Sequence, residues 1–205
     1  MWIPWLGLRV VRLASVAYDL EGVALEVLER GLPEVPSDLA PDGSTVPVAR
    51  ATWGDFGAVL FVRRWRNGQW DCDTAVTRRD RNGKWLEPSG YGGGPWIETG
   101  LRRPAAGWDG FPIVWMGSAG CDLERDDGEY DFIVGYRAAA AATVAAVRVE
   151  QGDVNYTAQI ASSAGAVIVL AYGDRPARLS ALDATGSVMS YGDGTASVET
   201  FRAAS

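Results

Sequence analysis

Turn chemistry is what most limits the fold of this chain. Asn67-Gly68 and Asn82-Gly83 each sit between runs of β-branched, aromatic and charged residues. Asn-Gly supplies the positive φ angles of a two-residue type I′ turn, so each pair predicts a β-hairpin. The first pair sets a register. Arg66 faces Gln69, Trp65 faces Trp70, Arg64 faces Asp71, Arg63 faces Cys72, Phe61 faces Thr74 and Val59 faces Val76. Val59, Phe61, Trp65, Trp70, Cys72 and Val76 then share one face, expected to be buried, with Arg63 as its exception. The opposite face carries an Arg64–Asp71 pair and Asp73. The second pair places Arg81 opposite Lys84, Asp80 opposite Trp85 and Arg78 opposite Glu87, which extends the hairpin into a meander.

Strand-like runs continue at Ile113–Met116, Tyr130–Arg137, Thr143–Glu150, Val154–Ala161, Ala166–Tyr172, Ala177–Asp183, Ser187–Tyr191 and Ala196–Phe201. Turn residues separate them at regular intervals. Short strands at this spacing indicate a mainly β fold, an antiparallel β-sandwich or meander.

One segment has a different period. Leu13, Val16, Leu20, Val23 and Val27 recur at steps of three and four, and Leu25 and Leu28 widen the stripe. That predicts an amphipathic helix from about Leu13 to Arg30. Gly31 is its C′ residue and Pro33 its stop. The chain then divides into an N-terminal helix with a proline-rich linker (1–45), a Trp-rich meander (46–137) and a further β module (143–205). The last two are either separate or merged into one compact unit. Arg9 and Arg12 interrupt the apolar start where a signal peptide needs an unbroken run, so a cytoplasmic protein with no membrane span is expected. Cys72 and Cys121 would be reduced there; in an oxidising compartment they could pair.

Missing residues exclude much chemistry. There is no histidine, so no Ser-His-Asp or Cys-His arrangement and no His-containing metal site can form within the chain. The one lysine, Lys84, follows Asn82-Gly83 at a hairpin tip, which removes a Walker A loop and Schiff-base chemistry. No cofactor is expected. The balance of 19 basic against 26 acidic residues argues against nucleic acid as a partner. The charge is uneven, however. Phe61 to Arg103 holds nine basic residues (Arg63, Arg64, Arg66, Arg78, Arg79, Arg81, Lys84, Arg102 and Arg103) against five acidic ones. This is either a solvated sheet surface or a basic patch for an acidic partner.

Residues 88–112 read as one long irregular stretch, rich in glycine, and long loops in compact domains are often functional. Tyr91, Trp96, Arg102, Arg103, Trp108 and Asp109 are its binding candidates. Of the nine tryptophans, Trp53, Trp65, Trp70 and Trp115 are expected in the core. Trp96 and Trp108 lie in the loop, where aromatic side chains supply binding energy. Asp122, Glu124 and Asp126 alternate as calcium ligands do, yet the sixth position is Asp127 and the twelfth Ile133, so the segment is no EF-hand. Glu98, Asp109, Asp122 and Asp127 could supply a carboxylate pair for glycoside hydrolysis. Asp73-Thr74-Ala75 has the shape of an aspartic-protease motif, but mid-strand rather than in a tight loop. Asn155-Tyr156-Thr157 is a glycosylation-type triplet inside a strand.

Gly165-Ala-Val-Ile-Val-Leu-Ala171 and Leu179-Ser-Ala-Leu-Asp183-Ala-Thr-Gly186 resemble the closing strands of uncharacterised β-sandwich proteins from actinomycetes. In those, an apolar strand precedes an Ala-x-Asp-x-x-Gly hairpin. The two pieces belong to the stretch Val144 to Val188, which covers about a fifth of the chain. The resemblance implies an Ig-like sandwich in the last third and carries no function. The expected function is a non-enzymatic module that binds a protein or other macromolecule through 91–108 and the N-terminal helix. The alternatives are a carbohydrate-binding module using Tyr91, Trp96 and Trp108, and a histidine-free hydrolase.

Overall fold

The computed structural model describes residues 20–34, 45–68, 70–88, 91–95, 113–121, 130–137, 143–160, 165–172, 176–189 and 198–201. The architecture is mainly β and antiparallel, with one N-terminal helix, as the turn spacing implies. Helix α1 covers residues 20–30 of the predicted span. The strands are β1 (Thr45–Trp53), β2 (Phe56–Arg64), β3 (Trp70–Arg78), β4 (Tyr91–Pro95), β5 (Ile113–Cys121), β6 (Tyr130–Arg137), β7 (Ala146–Gln151), β8 (Val154–Gln159), β9 (Ala166–Tyr172), β10 (Ala177–Leu182) and β11 (Val198–Phe201). They form three sheets, in the orders β1-β2-β3-β4, β5-β6-β9 and β11-β10-β7-β8. The 88–112 stretch is not one loop: Tyr91–Pro95, largely glycine, pairs with β3 as its fourth strand.

The hairpin register differs from the sequence expectation by one residue. Arg64 pairs with Trp70, Arg63 with Asp71, Phe61 with Asp73 and Val59 with Ala75. The Gly68 N–H donates to the Trp65 carbonyl at 2.9 Å, with Gly68 at φ 81°. This is a three-residue loop closing on a left-handed glycine rather than a two-residue turn. Asn82-Gly83 behaves identically. Arg79 pairs with Trp85, the Gly83 N–H donates to the Asp80 carbonyl, and Gly83 has φ 79°. Here the cause is visible: Asp80 Oδ1 accepts from the backbone N–H groups of Asn82 and Lys84 at 2.8 and 2.9 Å. Asp183 repeats the device, accepting from Thr185 and Ser187 below Gly186.

A one-residue slip exchanges faces, so the predicted single apolar face is split. Val59, Phe61 and Ala75 look one way and meet Leu20, Ala24, Val27, Leu28 and Trp85. Val62 shares the opposite face with its cross-strand partner Cys72, and Ala58 shares it with Val76; all four are buried. β2 is therefore covered on both sides. The Cys72 side chain is buried. Of the expected core tryptophans, Trp53 and Trp65 are only partly buried, whereas Trp85 is sealed under the helix at 5% exposure.

The helix uses positions 20, 24, 27 and 28 for this contact, and Val23, expected on the stripe, is 39% exposed. At 100° per residue Val23 falls at the margin of a stripe centred between Leu20 and Leu28. Gly31 ends the helix as expected, at φ 99° with its N–H on the Val27 carbonyl. Leu13 and Val16 lie outside the described residues.

β9 pairs along its length with β6, and its alternate residues Val167, Val169 and Ala171 pack on Val147, Val149, Leu179 and Ala181 of the third sheet. Ile168 and Leu170 point the other way, also buried. There β9 approaches β1, and β5 approaches β4, within 8 Å between Cα atoms.

Candidate functional site

The register gathers an unexpected set of polar side chains. One row crosses the first sheet from edge to edge: Thr45 on β1, Arg63 on β2, Asp71 on β3 and Pro95 on β4. Two residues inward along each strand, on the same face, come Pro47, Phe61, Asp73 and Gly93. The helix packs against Val59, Phe61 and Ala75 of this face. The polar row lies past Phe61, at the strand ends.

Arg63 is 7% exposed. Its Nε and Nη2 donate to Thr45 Oγ1 at 2.8 and 2.5 Å. Its guanidinium carbon lies 4.9 Å from the Trp65 ring centroid, a cation–π geometry. The Trp65 indole N–H in turn donates to Asp71 Oδ2. Trp65 thus ties the cation to its cross-strand acid. Asp73 is partly buried, and burial pushes its carboxyl above the usual value; Arg63 opposes the shift and Asp71 adds to it. A charged arginine against two carboxylates leaves an excess of acceptors, beside one indole ring. The row thus sets hydrogen-bond donors and acceptors beside an aromatic face.

This set answers the Arg63 exception. With Arg63 opposite Cys72, a guanidinium would sit among apolar side chains; opposite Asp71 it has an acid, a hydroxyl and an indole. Arg63, Asp71, Asp73, Trp65 and Thr45 were not read as a site from sequence. The one available signal was the misplaced arginine itself. Asp73-Thr74-Ala75 does lie mid-strand, as expected, but Asp73 faces the helix side rather than outward.

Among the predicted site residues, Tyr91 begins β4 with its backbone opposite Ala75, at the far end of that strand from Pro95. Trp96, Arg102, Arg103, Trp108 and Asp109 lie outside the described residues, as do Glu98, Asp122, Glu124, Asp126 and Asp127. Among the described residues no group of three or more Cys, Asp or Glu could hold a metal ion. No described helix is long and apolar enough to cross a membrane. No family model, curated protein or solved structure matches the chain.

Proposed function

We propose that this protein is a non-enzymatic interaction module that binds another macromolecule at one end of its first sheet. The binding surface is the 91–108 stretch together with the Thr45–Arg63–Asp71 row, in which Pro95 also stands. One observation carries the reading: Pro95, the last residue of β4, stands in the row where Arg63 and Asp71 are paired. A tryptophan-bearing stretch anchored beside a polar cluster combines the aromatic and charged anchors that dominate interface energetics. The described part of the helix has its apolar side on its own sheet, which counts against that part as a docking element.

The test is affinity capture from the native host, with mass spectrometry, using the tagged chain and its Trp96→Ala/Trp108→Ala variant. A partner retained by the parent chain and lost by the variant is the expected result. Recovery of no partner by the parent chain sinks the reading. Trp65, partly buried with its N–H on Asp71, favours a carbohydrate ligand as the second reading. Binding of glycans that depends on Trp65 would support that reading instead.

A further inference from the structure

The hairpin at the opposite end of β3 has a different character. Asp71 and Arg78 are seven residues apart on one strand, roughly 23 Å at strand rise. Arg78, Arg79, Arg81 and Lys84 crowd this turn, and all four side chains are exposed. The turn itself is rigid. The Asp80 N–H donates to the Lys84 carbonyl at 2.8 Å, and the Leu86 N–H to the Arg78 carbonyl at 2.8 Å. Thr77 Oγ1 donates to the Leu86 carbonyl at 2.6 Å. The acid inside the loop, Asp80, faces its own backbone and caps the Asn82 and Lys84 N–H groups. Arg79 is held with its guanidinium carbon 4.4 Å from the centroid of the Trp85 ring. That ring is fixed beneath the helix against Leu28 and Gly57.

Two ion pairs, Arg30–Glu26 and Arg178–Glu150, lie elsewhere. Asp80 lies within electrostatic reach of Lys84, whose charge helps to hold its carboxyl below the ordinary value. This concentration of cations stands out in a chain of net charge −7. We infer that the 78–84 hairpin is a docking surface for an acidic polypeptide segment. Charge complementarity and preorganisation argue for it: the backbone is pinned by its own hydrogen bonds and one guanidinium is stacked. The size of the patch argues for a short carboxylate-rich segment rather than a nucleic acid. Arg79, on the Trp85 face, with Arg81 and Lys84 at the tip match a few alternating carboxylates, about 7 Å apart in an extended chain. A long polyanion would meet the net negative charge of the rest of the chain. This surface is separate from the one proposed above, so either can fail alone.

The experiment is fluorescence anisotropy of a fluorescein-labelled decapeptide of alternating glutamate and serine, titrated with the full chain. Binding at about 30 mM salt that weakens at about 300 mM is expected. Arg81→Ser/Lys84→Ser should weaken it about tenfold, as loss of two docking charges would. Arg178→Ser, an exposed arginine on the third sheet, should leave it unchanged. The inference is overturned by no peptide binding at low salt, by an equal loss in Arg178→Ser, or by tighter binding of a single-stranded oligonucleotide of equal charge. Thermal melts of both variants establish that each is folded; if Arg81→Ser/Lys84→Ser is not, Lys84→Gln alone replaces it.

Discussion

Asp73 carries a carboxyl on a face it shares with Phe61 and Ala75. Because burial raises its pKa from the ordinary value of 3.8, the native chain holds that proton more tightly than the unfolded chain does. Native stability therefore falls as pH rises from the unfolded pKa through the raised folded one. Asp80 and Asp183 have the opposite sign. Hydrogen bonds from Lys84 to Asp80, and from Thr185 and Ser187 to Asp183, hold those carboxyls below 3.8. Their contribution is complete above the unfolded pKa and is lost as pH falls through the folded values. Asp73→Asn should thus raise the melting temperature at pH 7 and change it little near pH 3, where both forms are protonated. Asp80→Asn should lower it at pH 7, with the gap closing in acid. Melting curves at the two pH values decide. A fall for Asp73→Asn at pH 7 would mean that attraction to Arg63 outweighs the desolvation of the carboxylate.

At the level of elements, the helix and the sheet meet at a glycine. A Cβ on Gly57 would stand 2.8 Å from Leu28 Cδ2 and 2.9 Å from Trp85 Cη2. Leu28 could turn aside, but the indole is hemmed in by the helix. Gly57→Ala should therefore lift the helix from β2 and cost about 1–3 kcal/mol, the range for overpacking a closed core. Gly22, with nothing within 4 Å of an added Cβ, is the control, and Gly22→Ala should not destabilise the helix. Chemical denaturation of the two variants measures the difference. The sequence reveals the helix itself, because its period and its Gly31 cap are local. The strands Tyr130–Arg137 and Ala166–Tyr172 are legible for the same reason, as apolar runs between turn residues. The register was not legible. Asn-Gly signals a tight hairpin, but loops of two and three residues both accept it, and Asp80 selects the longer form through its side chain. The two-residue turns belong instead to Gly54-Asp55 and Gly152-Asp153. Misplacing one residue in the first hairpin conceals the Arg63–Asp71 juxtaposition, and with it the polar row. Strand β4 is hidden because Tyr91-Gly-Gly-Gly-Pro95 has almost no side chains to signal a strand; its place comes from backbone pairing with β3.

On the scale of the molecule, one side chain touches all three sheets. Tyr156 belongs to β8 in the third sheet. Its ring lies 4.8 Å from that of Trp53 on β1, in the first. Its hydroxyl donates to the Leu170 carbonyl at 2.8 Å and accepts from the Leu170 N–H, on β9 in the second. Leu170 is buried, and among the described strands β9 pairs only with β6. The phenol therefore stands in for a missing strand, satisfying both backbone groups on the open side of β9. Burial raises its pKa, so the proton that Leu170 needs is retained through the neutral range. Tyr156→Phe keeps the ring against Trp53 and removes the hydroxyl, leaving two backbone groups unsatisfied. The expected cost is about 1–3 kcal/mol. Because Tyr156 links the three sheets, that loss should move the whole unfolding transition. Tryptophan fluorescence, to which Trp53 and Trp70 of the first sheet contribute, and far-UV dichroism, which reports on all strands, should shift to the same new midpoint. Separation of the two midpoints would show that the sheets unfold independently and that Tyr156 does not couple them.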